Sequence, residues 1–532
     1  MIEDQRGAIN AEPCQRHRTM KGGMWIDIFK MVPAFIAEIS GNEESFGDAF
    51  FDFDEKLRDI FKPVAGFILL TLSVSCSNGG SGQGKVTRLL PEPGIIHKKI
   101  VCAGPSGRSY ALYIPGKPSP PAPPPGGEGG SLHRIPVMIA FDPHGDGALP
   151  LSLYKDLAEE YGFIMVGSND SKNGLAALEV KDIVTELANE VRTVYPVDTN
   201  RIYLLGFSGG ARVAAMAAMY MIPVKGVIGC GAGLGGSEQP VLYKFDYFGI
   251  AGTADFNMNE MVQLDEPLSR AGFRHFITTF PGKHAWPPEV VMEDAFHWIT
   301  YNAMKDGQLK KDEAYISGVN AAFEARISDL EKTNQLIAAA DICREAISFA
   351  EGLTGTGKFK EMMMILENNP DYKSQVTYRQ NILKTEEEEK QELMQALQAK
   401  DLNWWKEWIH HHASRITRHE NINPEDTLKD RRLLAFLSLF CYMNANAAMQ
   451  KQDENAALKI VTIYEMADPE NPEPNYMRAI LLARRSENEA ALAQLSIAVS
   501  KGFTDKKRLT GQQEFQSMNN PQGWNDLLKT IN

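Results

Sequence analysis

A chain of 532 residues is long enough to hold two or more domains and to bury a sizeable core. Its formal net charge of −13, with Lys and Arg scattered rather than massed, excludes a general nucleic-acid binder. Six cysteines with no C-x-x-C pair exclude a disulfide framework and zinc or thioredoxin chemistry built on such pairs.

From the N-terminus, residues 1–56 are irregular and acidic near their end, and match no recognisable module. Residues 57–84 differ from the rest. The apolar run 63–74 is too short to span a bilayer as a helix but has the length of a signal-peptide core. Lys56, Arg58 and Lys62 flank it with positive charge, Ser73 and Ser75 precede Cys76, and a Gly/Ser tether follows. This resembles a bacterial lipoprotein signal, with Leu72 one place further out than the motif's usual Leu. The resemblance implies lipidation of Cys76 and a protein anchored by its lipid in the cell envelope, periplasmic or outer-membrane. Residues 1–56 then read as an upstream extension or a start-site artefact. The other reading is a cytoplasmic protein in which 63–74 is a buried element.

Residues 95–303 read as one α/β domain. Strands at 95–102 and 109–114 form a hairpin, and the Pro/Gly-rich stretch 115–130 reads as an exposed loop. Strands at 136–141, 163–167, 201–206, 224–230, 246–251 and 275–280 then alternate with helices at 151–161, 176–195, 209–221, 257–271 and 288–302. Short apolar strands between helices predict a mostly parallel sheet covered on both faces, with the site at the carboxyl ends of its strands. Beyond about residue 305 only helical periodicity remains. Residues 313–430 are helical without a visible repeat. In 432–505, Glu454-Asn-Ala-Ala-Leu458 recurs as Asn488-Glu-Ala-Ala-Leu492, a spacing of 34 residues, which resembles tetratricopeptide hairpins and implies a surface for a protein partner. Residues 506–532 form a C-terminal tail.

The chemistry gathers at four strand ends. Strand 201–206 runs into Gly206-Phe-Ser-Gly-Gly210 and then a helix, the context in which G-x-S-x-G acts as a nucleophile elbow. Such a turn exposes Ser208 and aims the Gly209 N–H at a developing oxyanion. Strand 246–251 ends in Gly252-Thr-Ala-Asp255, and strand 275–280 in Pro281-Gly-Lys-His284. Ser208 needs an imidazole to take its proton, and the imidazole needs a carboxylate on its far nitrogen; His284 and Asp255 suit those roles, with Asp265 a weaker acid. The Asp142-Pro-His-Gly-Asp146 turn offers a second oxyanion N–H at Asp146 or Gly145. His144, Asn169, Phe207 and Trp286 are candidate substrate contacts, and Asn173 shares the loop of Asn169. His410-His-His412 cannot share one helical face and reads as a solvated helix, not a metal site. Glu386 to Glu389 read as an exposed face, and Trp404, Trp405 and Trp408 as core.

His144-Gly145, Gly206-Phe-Ser-Gly-Gly210, Gly252-Thr-Ala-Asp255 and Gly282-Lys-His-Ala-Trp-Pro287 together resemble the polyhydroxybutyrate-depolymerase and feruloyl-esterase-like branch of the α/β hydrolases. That branch often has Ala where Gly209 stands. The resemblance implies Ser208 as nucleophile, Asp255 as acid and His284 as base, with Trp286 near the base, acting on a small or polymeric ester without metal or cofactor. A serine peptidase of the same fold and a catalytically idle binding scaffold are the competing expectations.

Overall fold

The computed structural model describes residues 90–116, 134–235, 241–417, 422–517 and 521–531. The lipoprotein-type signal with Cys76, the stretch before it and most of the proline-rich loop lie outside the described residues.

Eight strands form one sheet: β1 (Ile96–Val101), β2 (Ser109–Tyr113), β3 (Ile135–Phe141), β4 (Ile164–Ser168), β5 (Val197–Phe207), β6 (Gly226–Cys230), β7 (Asp246–Gly252) and β8 (His275–Phe280). Their order is β1-β2-β4-β3-β5-β6-β7-β8. β1 and β2 form an antiparallel hairpin and β2 meets β4 antiparallel; the remaining pairs are parallel. The helices between them are α1 (Ala148–Tyr161), α2 (Ala177–Val194), α3 (Gly209–Tyr220), α4 (Met258–Gln263), α5 (Asp265–Arg270) and α6 (Glu289–Lys305).

Strand alternation divides the core. Ile202 and Leu204 point to the face covered by α2 and α3, where Val184, Leu187 and Ala214 pack. Tyr203 and Leu205 point to the other face, covered by Leu157 of α1 and Phe296 of α6. The expected single helix 257–271 is two short ones. Pro267 lacks an N–H and crowds the carbonyl four residues back, at Gln263, where α4 ends.

The rest of the chain is helical: α7 (Glu313–Lys332), α8 (Leu336–Ala350), α9 (Gly357–Asn368), α10 (Pro370–Ala399), α11 (Leu402–Thr417), α12 (Pro424–Gln450), α13 (Glu454–Ala467), α14 (Glu473–Arg484), α15 (Asn488–Ser500), α16 (Lys506–Gly511) and α17 (Pro521–Thr530). Side-chain caps start several of these. Asp312 accepts from the Ala314 and Tyr315 N–H groups at α7, and Asn423 from Glu425, just before Pro424 at the first position of α12. The two Ala-Ala-Leu triplets occupy equivalent places, opening α13 and α15, the second helices of the α12/α13 and α14/α15 pairs.

Three expectations for this region are corrected. Glu386 is fully buried beside Arg432 rather than exposed. Four consecutive helical residues sweep the whole circumference, so one of Glu386 to Glu389 must face inward. His412 is buried on Asp430, with Nδ1 to Oδ1 at 2.7 Å, while His410 and His411 stay exposed. Of the three tryptophans only Trp405 is fully buried.

Candidate active site

β5 delivers Ser208 to the carboxyl edge of the sheet in a conformation that few side chains tolerate, φ 52° and ψ −122°. The flanking glycines make this turn possible. A Cβ on Gly206 would stand 2.2 Å from the Gly210 carbonyl oxygen, and one on Gly210 would stand 2.0 Å from that of Phe141. The Ser208 N–H is spent on Cys230 O at 2.8 Å. The Gly209 and Gly210 N–H groups open α3, where a helix has no intrahelical acceptors for them.

Two further strand ends bring their side chains to this serine. His284, in the loop after β8, places Nε2 at 3.0 Å from Ser208 Oγ. Its Nδ1 lies 2.8 Å from Asp255 Oδ2, in the loop after β7. A carboxylate only accepts, so Nδ1–H donates to Asp255 and Nε2 is left to accept the serine proton. Asp255 is 1% exposed, and its Oδ1 accepts from the Asn257 N–H at 2.8 Å. The imidazole is packed between two rings, Phe207 at 4.7 Å and Phe256 at 4.4 Å between centroids. Asp265, by contrast, pairs with His275 at the opposite, amino end of β8 (3.2 Å).

The loops are tied to one another. Trp286 Nε1 donates to Asp142 Oδ2 at 3.0 Å, joining the His284 loop to the turn after β3. The Tyr154 hydroxyl donates to Pro287 O at 2.8 Å, and Asn257 Nδ2 donates to Gly231 O at 2.8 Å. Burial pushes the Asp142 carboxyl up, but hydrogen bonds from His144 and Trp286 outweigh it and hold it below the usual range. The same hydrogen bond, from the other side, raises the pKa of His144, whose side chain is largely exposed.

In the β3 turn the Gly145 N–H donates to Asp142 O at 3.2 Å, leaving the Asp146 N–H as the turn's free candidate donor. The Asn169 amide donates within the fold, to Lys98 O and Ser109 Oγ. Asn173 stands closer to the elbow: a Cβ on Gly209 would lie 1.8 Å from its Oδ1. The places of Phe256, Tyr154 and the bridging carboxylate of Asp142 in the site left no signal in the sequence. Each acts across loops distant in sequence, and no local spacing signals such contacts.

No protein-family model matches the chain, and no curated protein matches it. Among solved structures it is similar to a fluorophosphonate-binding serine hydrolase of Staphylococcus aureus, at 12% identity and a TM-score of 0.31, covering 39% of this chain and 99% of that one. It is also similar to an esterase of the planctomycete Thermogutta terrifontis, at 14% identity and a TM-score of 0.31, covering 40% and 94%. An esterase of Pyrobaculum calidifontis gives 14% and 0.29, covering 40% and 85%. Likeness this remote says nothing of the reaction.

Proposed function

We propose that the chain is a serine hydrolase acting on carboxylic esters. One observation carries the reading: Ser208 Oγ, the two His284 nitrogens and the Asp255 carboxylate form one unbroken hydrogen-bonded line at the strands' carboxyl edge. Ser208 Oγ attacks the ester carbonyl carbon while its proton passes to His284 Nε2. Asp255 stabilises the imidazolium and keeps its Nδ1–H oriented. The oxyanion faces the N–H groups of Gly209 and Asp146. Collapse of the tetrahedral intermediate breaks the bond to the alcohol, which leaves with the proton from Nε2. Water, deprotonated by the same nitrogen, then releases the carboxylic acid and restores Ser208.

Lipid on Cys76 would hold the hydrolase at an envelope membrane, and the α12–α15 hairpins, tetratricopeptide-like in their 34-residue spacing, would dock a protein partner. Mass spectrometry of the mature N-terminus tests the anchor: a diacylated Cys76 supports it, and an unmodified residue upstream of Cys76 contradicts it.

Steady-state hydrolysis tests the reaction. The full chain should turn over p-nitrophenyl acetate and butyrate, and Ser208→Ala should lower kcat by about 10⁴-fold or more with the fold intact. Cleavage of peptide amides with p-nitrophenyl esters untouched would replace the esterase reading with a peptidase.

A further inference from the structure

We propose that the helical region is part of the catalytic apparatus: Arg432 and Lys390 are positioning residues that hold the acid loop from behind, so that Asp255 and Phe256 stay seated on His284. The proposal rests on the ester-hydrolase reading of the site. The loop Gly252-Thr-Ala-Asp-Phe256 leaves the sheet where β7 ends and has two rows of backbone groups to satisfy. Two of its N–H groups turn to the end of β8 and the loop after it, with Thr253 N donating to Phe280 O and Ala254 N to Gly282 O, both at 2.8 Å. Two of its carbonyls are served instead by side chains from far along the chain. Arg432 of α12 donates from Nη1 to Thr253 O at 2.7 Å, and Lys390 of α10 donates to Phe256 O at 3.2 Å.

Glu386 holds both cations in place. It accepts from Arg432 Nε at 2.8 Å and pairs with Lys390 Nζ at 3.0 Å. Arg432 and Glu386 are 1% and 0% exposed. Charges removed from water to this extent are a poor source of net stability, since desolvation offsets their attraction. What they supply is direction. The guanidinium is a rigid fork whose Nε is set by Glu386, so Nη1 is aimed at one carbonyl two residues before the catalytic acid. A third, apolar contact supports the same loop, because Leu383 of α10 packs on the cluster of Ala251, Met258 and Met261 that brackets it. The Phe256 ring then transmits the position to His284 at 4.4 Å.

The test uses the full chain and four forms: wild type, Lys390→Met, Arg432→Lys and the triple apolar variant Glu386→Leu/Lys390→Met/Arg432→Met. Lys390→Met leaves the Glu386–Arg432 pair intact, and the triple variant strands no buried charge, so both are designed to fold. Per folded molecule, kcat on p-nitrophenyl butyrate should fall about tenfold in Lys390→Met and up to about a hundredfold in the triple variant. KM should stay within about twofold. Arg432→Lys, which keeps the charge but not the fork, should retain more activity than the triple variant. Amide hydrogen exchange at residues 253–257 should quicken in the same order. Folded variants with wild-type kcat, or with the loss wholly in KM, would overturn the proposal. Wild type inert to esters and to a fluorophosphonate would instead overturn the ester-hydrolase reading. Exchange unchanged in the triple variant would still refute the clamp on its own terms.

Discussion

At the scale of single residues, the elbow was legible in the sequence because its constraint is steric and local. Neighbouring glycines at 206, 209 and 210 mark a turn that a Cβ would block. The three glycines are not equivalent, however. A Cβ on Gly209 meets the far end of a side chain, Asn173 Oδ1, whereas a Cβ on Gly210 meets the backbone oxygen of Phe141. Gly209→Ala should therefore fold and lose about tenfold in kcat/KM. Asn173→Ala in the same chain should recover much of that loss; no recovery would mean that Asn173 is not the obstacle. Gly210→Ala should cost about 3 kcal/mol or more, because α3 must move off the sheet, and a thermal melt would reveal it. Trp286→Phe keeps the ring on Phe207 but deletes the donor to Asp142. The expected cost is about 1–3 kcal/mol, and a melt indistinguishable from wild type would contradict it.

At the scale of elements, strands and helices of the α/β domain lay close to where alternation and periodicity placed them, because each buries its own recognisable face. The failures have local causes. Pro267 divides the helix expected at 257–271. A four-residue glutamate run hides one inward-facing member, and the last of three adjacent histidines turns into the core. Titration also acts at this scale. His297 of α6 is half-buried, with Nδ1 at 2.9 Å from the Tyr161 hydroxyl and 2.7 Å from that of Tyr315. Burial, reinforced by Arg326, lowers its pKa to about 4 from an ordinary value of about 6.5. Between those values the unfolded chain binds more protons, so stability rises with pH through the window and is lost on acidification. Glu293 and Glu345, which burial holds above the usual carboxylate range, act in the opposite sense. The difference between wild type and His297→Phe isolates the histidine. The wild-type denaturation midpoint should fall more steeply between pH 6.5 and 4, and parallel profiles would contradict the assignment.

At the scale of the whole molecule, the end of the strand pattern near residue 305 is visible in the sequence, but the packing across it is not. One cluster of buried side chains runs from Leu205 and Phe248 of the sheet through Phe296 and Tyr301 of α6 to Phe323 of α7 and Phe349 of α8. Periodicity tells which face of a helix is apolar, not which distant element will cover it. For the same reason Arg432 and Lys390 gave no sign in the sequence of their reach to the loop of Asp255. A chain ending at Gly307 would expose the apolar faces of α6 and the sheet, and should be insoluble or lose its cooperative melt; a soluble, cooperatively melting fragment would refute this. If Ser208, His284 and Asp255 form a working nucleophile line, reaction with a fluorophosphonate followed by peptide mapping will reveal it. A single adduct on Ser208 in the wild type, absent in Ser208→Ala and greatly slowed in folded His284→Ala, is the predicted result. A folded wild type that stays unlabelled, or an adduct that survives Ser208→Ala, would contradict it.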